Sequence, residues 1–168
     1  MSSILRHRGP AMRTINGNPQ TRFGIRMRMG RKFITIKKKS WAMFKFEREV
    51  DLDIEKSFLK VSQKLKDAGF VVLSYVDIKE IIKNKFGEDF PGYYILDVCK
   101  PAAAKELISS NHDYGLFLPC KVTLESKGEG KTIVKMLLVS ELAENYLKAD
   151  PSRPRAFEAE LKEALNAL

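Results

Sequence analysis

The chain lacks the features of a membrane or secreted protein. No continuous apolar run approaches the roughly 18 residues that a membrane-spanning helix needs. The N-terminus is basic, but it has no apolar stretch of about 7–15 residues of the kind that marks a secretory signal. Two cysteines in 168 residues are too few for a disulfide framework, so a reducing compartment is expected. These absences predict a cytoplasmic protein without membrane association.

Acidic residues are missing from the first 42 positions, which carry 11 basic side chains. The rest of the chain has 19 Lys and Arg against 21 Asp and Glu, so the net charge of +9 is the sum of +11 and −2. This change predicts a basic extension over residues 1–42 and a single domain over residues 43–168. The extension is expected to be mostly disordered, or to reflect a gene start set too early. Within it, alternating apolar and basic residues at 22–36 predict a two-stranded hairpin.

The domain alternates between strand and helix patterns. Strands are predicted over residues 44–50, 70–75, 93–99, 116–124 and 132–139. The second strand is expected to be central because it is apolar almost throughout, and Pro119 should mark an edge or a bulge of the fourth. Asp53 and Asp77 are suited to cap helices, and Pro101 suits the first turn of another. The fold class is therefore α+β, with a four- to six-stranded, mostly antiparallel sheet and helices packed on one face.

The two cysteines are the leading candidates for chemistry. Cys99 ends the third predicted strand and Cys120 lies in the fourth, each beside a proline that disturbs the strand. If the two strands pair, the thiols could approach each other. A thiolate there could act as a nucleophile, form a reversible disulfide, carry a sulfane sulfur or ligate a soft metal. The simpler interpretation is that both cysteines are small buried residues that fill the core.

Charged residues near the cysteines could assist binding. Lys100 and Lys121 each follow a cysteine, and a nearby cation lowers the pKa of a thiol, although adjacent strand residues point to opposite faces. Asp97 stands among apolar residues, where a buried carboxylate would have a raised pKa and could serve as an acid or base. The alternative, which we favour, is an outward residue of an edge strand or one that contacts a partner subunit.

Two weaker sequence signals do not define a binding site. The segment over residues 128–132 resembles the tail of a phosphate-binding loop, but Glu125 stands where that motif requires Gly, and β-branched residues follow. His112 is too far from the cysteines in sequence to suggest a metal site. No metal or cofactor is predicted.

The basic extension could bind single-stranded nucleic acid. The aromatic residues Phe23, Phe33 and Trp41 are interleaved with basic residues. Bases of a single strand can stack on aromatic side chains while basic side chains neutralise its phosphates. The candidate contacts within residues 6–39 are Arg22, Arg26, Arg28, Arg31 and Lys32.

Two segments, YILDVCKPA at residues 94–102 and GLFLPCKV at residues 115–122, resemble the family called domain of unknown function 302. The family has a Cys-Asn-Pro segment followed by a short helix and a Leu-Pro-Cys segment. Lys100 and Lys121 stand where the family often has Asn. The resemblance covers about residues 43–168 and implies a TATA-binding-protein-like β-α-β-α fold and a homodimer. It brings no settled activity, and a branch of the family without the cysteines implies that the fold does not need them.

These observations give three functional hypotheses. The first is a homodimeric module that binds an unknown small ligand or a protein partner in a cleft formed by Cys99, Pro101, Pro119 and Cys120, assisted by Asp97, Lys100 and Lys121. The second is a thiol protein that performs redox or sulfur-transfer chemistry with Cys99 or Cys120 as the nucleophile. The third is non-specific nucleic-acid binding through the extension. The sequence does not decide whether the protein is an enzyme.

Overall fold

The computed structural model describes residues 24–29, 32–37 and 44–168, which belong to two units, Met1–Ser40 and Trp41–Leu168. In the first unit, strands β1 (Gly24–Met29) and β2 (Lys32–Lys37) pair antiparallel, which confirms the predicted pairing of two strands there. The prediction that the extension is mostly disordered concerns residues that lie largely outside the described ones.

Residues 44–168 of the second unit form five strands and five helices. The strands are β3 (Lys45–Val50), β4 (Val71–Asp77), β5 (Tyr93–Cys99), β6 (Cys120–Gly128) and β7 (Lys131–Leu137). The helices are α1 (Ile54–Asp67), α2 (Ile78–Phe86), α3 (Pro101–Ser110), α4 (Val139–Leu142) and α5 (Ser152–Asn166). A 3₁₀ turn (His112–Leu116) follows α3, and a π-helical turn (Ala143–Leu147) continues α4.

The strands form one antiparallel sheet in the order β3-β7-β6-β5-β4, so the α+β prediction is confirmed. Helices α1 and α5 pack on the face that carries Leu96, Val122 and Leu124, all fully buried, and this is the core face of the sheet. The opposite face carries Asp97, Lys121, Glu125 and Lys135, and we call it the polar face. No helix within residues 44–168 has both the length and the apolar character needed to cross a bilayer.

The predicted helix caps are confirmed. The carboxylate of Asp53 accepts a hydrogen bond from the N–H of Lys56 at 2.8 Å, and that of Asp77 accepts one from the N–H of Glu80 at 3.0 Å. Both satisfy donors that the first turn of a helix leaves free. Gly87 ends α2 in the left-handed conformation with φ of 72°, which glycine adopts without a steric penalty.

The prediction of a central second strand is wrong. β4 lies at an edge of the sheet, and Val71, Leu73, Tyr75 and Val76 are between 38% and 59% exposed. An apolar run is typical of a strand covered on both faces, but here the run has a bulge between Val72 and Ser74 and remains open to solvent.

The prediction of a strand over residues 116–124 is wrong in its first half. Residues 112–116 form the 3₁₀ turn, which begins where the side chain of Asn111 accepts a hydrogen bond from the N–H of Asp113. Pro119 follows a cis peptide bond and lies just before β6, so it is neither at an edge nor in a bulge. β6 is instead the central strand, because a proline placed outside the strand removes no ladder hydrogen bond.

Candidate functional site

An apolar pocket lies where the end of β5 and the start of β6 meet helices α3 and α5. Its volume of about 30 Å³ accommodates one or two water molecules. Most of its wall is apolar and comes from Phe70, Val98, Leu107, Leu118, Phe157 and Leu161. Cys99, Lys100, Cys120 and Glu158 contribute the thiol and charged groups of the wall. The other lining residues are Ala103, Ala104, Val139 and Pro154.

Cys120 begins β6 and is partly buried. It pairs directly with Val98 and packs against both hydrophobic clusters of the domain. Burial, reinforced by the negative charge of Glu158, raises the pKa of Cys120 to about 11. The thiol is therefore protonated at neutral pH, whereas the thiolate is the form that attacks an electrophile or binds a metal. This environment favours the packing interpretation of Cys120 over a nucleophilic one.

Cys99 is the last residue of β5, and strand alternation places it on the face opposite to that of Cys120. Its direct partner is Val71, and because adjacent strand residues point to opposite faces, Val98 rather than Cys99 shares the core face with Cys120. Both cysteines are free and both line the pocket. A disulfide between them stays a prediction. Within the described residues, no three Cys, His, Asp or Glu side chains are grouped to hold a metal ion.

Glu158 is a buried carboxylate in the wall of the pocket. Only 5% of its surface is exposed, and Ser140 donates two hydrogen bonds to it, from the N–H to Oε1 at 2.7 Å and from Oγ to Oε2 at 2.6 Å. Lysine and arginine side chains of residues 44–168 lie beyond salt-bridge distance of Glu158. Because a buried charge needs compensation, the two Ser140 donors at the start of α4 are what hold this carboxylate in place.

Lys100 covers one side of the pocket. It lies between Cys99 and the first residue of α3, and its side chain is 23% exposed. The ammonium group pairs with Glu160 of α5 and lies 5.2 Å from the centre of the Phe70 ring. Its aliphatic stem therefore packs with the pocket wall while its charge reaches the surface.

Asp97 and Lys121 lie on the polar face, outside the pocket lining. Asp97 pairs with Lys121 and accepts a hydrogen bond from Ser74 Oγ at 2.8 Å, and these partners hold the pKa of Asp97 below its ordinary value. The possibility of a raised pKa is thus wrong. The outward position of Asp97 is confirmed, but β5 is an inner strand, so its placement on an edge strand is wrong.

The two predicted prolines of the domain do not line the pocket. Pro101 is in the first turn of α3 as predicted, and neither it nor Pro119 lines the pocket. Arg26, Arg28 and Lys32 belong to β1 and β2, but their side chains fall outside the description, as do Arg22 and Arg31 entirely. The nucleic-acid contacts stay a prediction.

A larger polar cleft of about 490 Å³ lies at the opposite ends of the same strands. Its lining mixes acidic and basic side chains, among them Asp53, Glu55, Asp77, Lys79 and Lys131. Asp53 and Asp77 already cap α1 and α2, and Lys131 pairs with Glu49 at 3.0 Å. Three of the charged side chains that line the cleft, those of Asp53, Asp77 and Lys131, are therefore already engaged in caps or in an ion pair.

Sequence reasoning missed Glu158 and Ser140. A signal was present, because Glu158 precedes Leu161 by three positions and Leu165 by seven, a spacing that places it within the apolar stripe of the last helix. A charged residue inside such a stripe is buried when the helix packs, and it must then find a partner.

The fold and the pocket define a small α+β domain with an antiparallel sheet and an interior thiol. The family model "Domain of unknown function DUF302" matches residues 46–168, so the chain belongs to the DUF302 family. The domain is also similar to the crystal structure of an uncharacterized conserved DUF302 protein from Bacillus stearothermophilus. The identity is 29% and the TM-score is 0.66, over 74% of this chain and 98% of that chain. No curated protein matches the chain.

Proposed function

We propose that the domain is a binding module whose site is the pocket of Cys120 and Glu158, and that its ligand is a small, uncharged, apolar molecule. The observation that carries this proposal is the nearly apolar wall, together with a thiol that burial keeps protonated. A pocket of this kind binds by exclusion of water rather than by charge. The raised pKa of Cys120 weighs against the alternative of a thiol enzyme that attacks with this residue.

Xenon is a suitable first probe because it is apolar, uncharged and much smaller than an organic ligand, so it needs the least expansion of the pocket. We expect saturable changes in the methyl NMR signals of Val98, Leu107 and Leu161 of the full-length protein under xenon. The variant Ala104→Leu extends a side chain from the pocket wall and should abolish these changes. Methyl signals that do not respond to xenon, or that respond equally in Ala104→Leu, would exclude the proposal.

We also propose a homodimer, in which β4 of one subunit pairs with β4 of the other. Four apolar side chains of this edge strand are exposed, and the strand carries no charge before Asp77. The other edge, β3, alternates charged residues such as Lys45 and Glu47, which discourage strand pairing. Antiparallel pairing centred on Ser74 would bring Leu73 opposite Tyr75 of the second copy, so that apolar side chains meet.

Sedimentation equilibrium tests the dimer. The wild-type chain should have twice its 19.2 kDa mass, and Leu73→Lys should shift it to a monomer because the added charge meets an apolar strand. Tyr146→Lys, at another exposed apolar residue, is the control and should remain dimeric. A monomeric wild type or a dimeric Leu73→Lys variant would exclude this interface.

Association with single-stranded nucleic acid is a separate proposal that rests on the 11 basic and no acidic residues of positions 1–42. Replacing Arg22, Arg26 and Arg28 by Gln should weaken the binding of a labelled RNA oligonucleotide and flatten its salt dependence. Unchanged affinity at two salt concentrations would argue against it.

A further inference from the structure

The resting pocket is too small for an organic ligand. Its volume of about 30 Å³ compares with roughly 300–1,000 Å³ for sites that enclose drug-sized molecules. A larger occupant therefore needs part of the wall to move. The wall is built mainly from buried side chains of α3, α5 and the sheet, which are packed against each other. Lys100 differs, because it is the wall residue whose end reaches solvent and forms an ion pair.

The Lys100 side chain joins three parts of the structure around the pocket. It begins at the junction of β5 and α3 and ends in an ion pair with Glu160 of α5. Its Nζ atom lies 5.2 Å from the centre of the Phe70 ring. Phe70 and Lys100 both line the pocket, and Glu160 is two residues from Glu158 on the same helix. When the ion pair is formed, the aliphatic stem of Lys100 is held against the wall. When it is broken, the stem is free to swing into solvent.

We propose that the Lys100–Glu160 ion pair is a gate that controls access to the Cys120 pocket. This inference rests on the proposed binding site, since the gate and the site share the same pocket. A pair with one partner 47% exposed is held weakly and is weakened further by salt. The gate therefore opens readily, and conditions or partners that compete for either charge increase entry into the pocket.

The alkylation rate of Cys120 by iodoacetamide measures access to the pocket. Mass spectrometry of proteolytic peptides distinguishes Cys120 from Cys99, so both thiols are read in one reaction of the full-length protein. In Glu160→Gln, which removes the pair, and in Lys100→Ala, which removes both the pair and the covering stem, the rate at Cys120 should rise at least about two- to fivefold, as expected for the loss of one partly exposed ion pair. Lys100→Arg preserves the pair and should restore the wild-type rate.

A change of access must be separated from a change of ionisation or of global stability. The pKa of Cys120 is raised by burial, by Glu158 and by Cys99, so removal of the gate leaves its main causes in place. Glu49→Gln is the matched control, because Glu49 is 49% exposed and pairs with Lys131 at 3.0 Å on another part of the sheet. This variant should leave the Cys120 rate unchanged, and urea unfolding should show that the gate variants remain folded.

Salt gives an independent test. Raising the salt concentration should speed alkylation of Cys120 in the wild type and in Lys100→Arg, but not in Glu160→Gln, where no pair remains to be screened. Equal rates in the wild type and both gate variants would overturn the gate. A response to xenon with equal alkylation rates would overturn the gate alone, whereas faster alkylation without any response to xenon would overturn the binding proposal and leave the gate standing.

Discussion

The two faces of the sheet give neighbouring residues opposite environments. On β6, Cys120 and Leu124 point to the core face, where Leu124 is fully buried and the burial of Cys120 raises the pKa of its thiol. Lys121 and Glu125 of the same strand point to the polar face, where ion pairs lower the pKa of Glu125 and of Asp97. Burial is the main cause of the shifted pKa of Cys120 on the core face, whereas pairing with lysines is the main cause of the lowered pKa values of Asp97 and Glu125 on the polar face.

The two faces explain why a Cys-Lys dipeptide does not by itself predict a thiol with a lowered pKa. Cys120 and Lys121 lie on opposite faces of the strand, so the lysine pairs with Asp97 and does not lower the pKa of the thiol. At Cys99, the strand ends, and Lys100 is therefore free to fold over the pocket and reach Glu160. The geometry of the backbone, and not adjacency in sequence, decides which charge meets which thiol.

The largest expected difference between the faces is in packing. Leu124 is fully buried on the core face, so Leu124→Ala should lower the free energy of unfolding by about 2–5 kcal/mol. Urea denaturation measures it. Lys127→Ala in the same strand removes an exposed side chain and should leave the midpoint within experimental error. A small loss in Leu124→Ala would show that the core face is less tightly packed than its burial indicates.

A pH series tests the desolvation of Cys120. Its folded pKa of about 11 lies above the ordinary value of 9.0, so the neutral thiol is the form that folding favours. The stability linked to this group is complete below pH 9 and declines as the pH rises towards 11, because the unfolded chain ionises first. The difference between the folded and the ordinary pKa corresponds to about 3 kcal/mol of stability at the alkaline end.

The control for the pH series is Cys120→Ala, which cannot ionise at this position. Tyr94 and Tyr114 also have a raised pKa because of burial, so the informative quantity is the difference between the two proteins at each pH. The wild-type curve should fall more steeply than that of the variant above pH 9. Parallel curves would mean that water reaches Cys120 in the folded protein.

The hydrogen bonds of Glu158 give the next effect in size. Ser140→Ala removes the hydroxyl that donates to Oε2 and leaves a buried carboxylate with one donor fewer, which should cost about 1.5–3 kcal/mol. Ser152→Ala is the matched control, because its hydroxyl donates to the exposed carboxylate of Asp150 at 2.6 Å, where water replaces it. Equal unfolding midpoints for the two variants would contradict the buried role of Ser140.

The sequence predicted the parts of this structure that depend on local chemistry. The caps at Asp53 and Asp77, the proline in the first turn of α3 and the α+β class follow from short-range hydrogen bonds and periodicity. The order of strands depends on contacts distant in sequence, so the apolar run of β4 predicts a central strand although the strand lies at an edge. The resemblance identified the family and both cysteine segments.

The site was only partly predictable for the same reason. Cys99, Lys100 and Cys120 were named from the sequence, and the structure places them around one pocket. Asp97 and Lys121 were named with them, but strand alternation directs these two to the polar face. Glu158 and Ser140 are separated by 18 positions and meet only when α5 packs against α4, a contact that periodicity does not specify.

The polar face should give the smallest effect. Asp97→Asn removes the charge that pairs with Lys121 and that accepts a hydrogen bond from Ser74. The Asp97 side chain is still 24% exposed, so the substitution should lower the free energy of unfolding by less than about 1 kcal/mol at neutral pH. The pKa of Asp97 is lowered in the folded state, so its contribution is present above the ordinary value of 3.8 and is lost as the pH falls through the lower folded value. The two proteins should therefore differ at pH 7 and converge in acid, as measured by urea midpoints.

High salt should reduce the difference in unfolding free energy between the wild type and Asp97→Asn at pH 7. The loss in Leu124→Ala should persist in high salt, since packing is not screened. A loss in Asp97→Asn as large as that in Leu124→Ala would mean that the polar face is covered in the assembled protein.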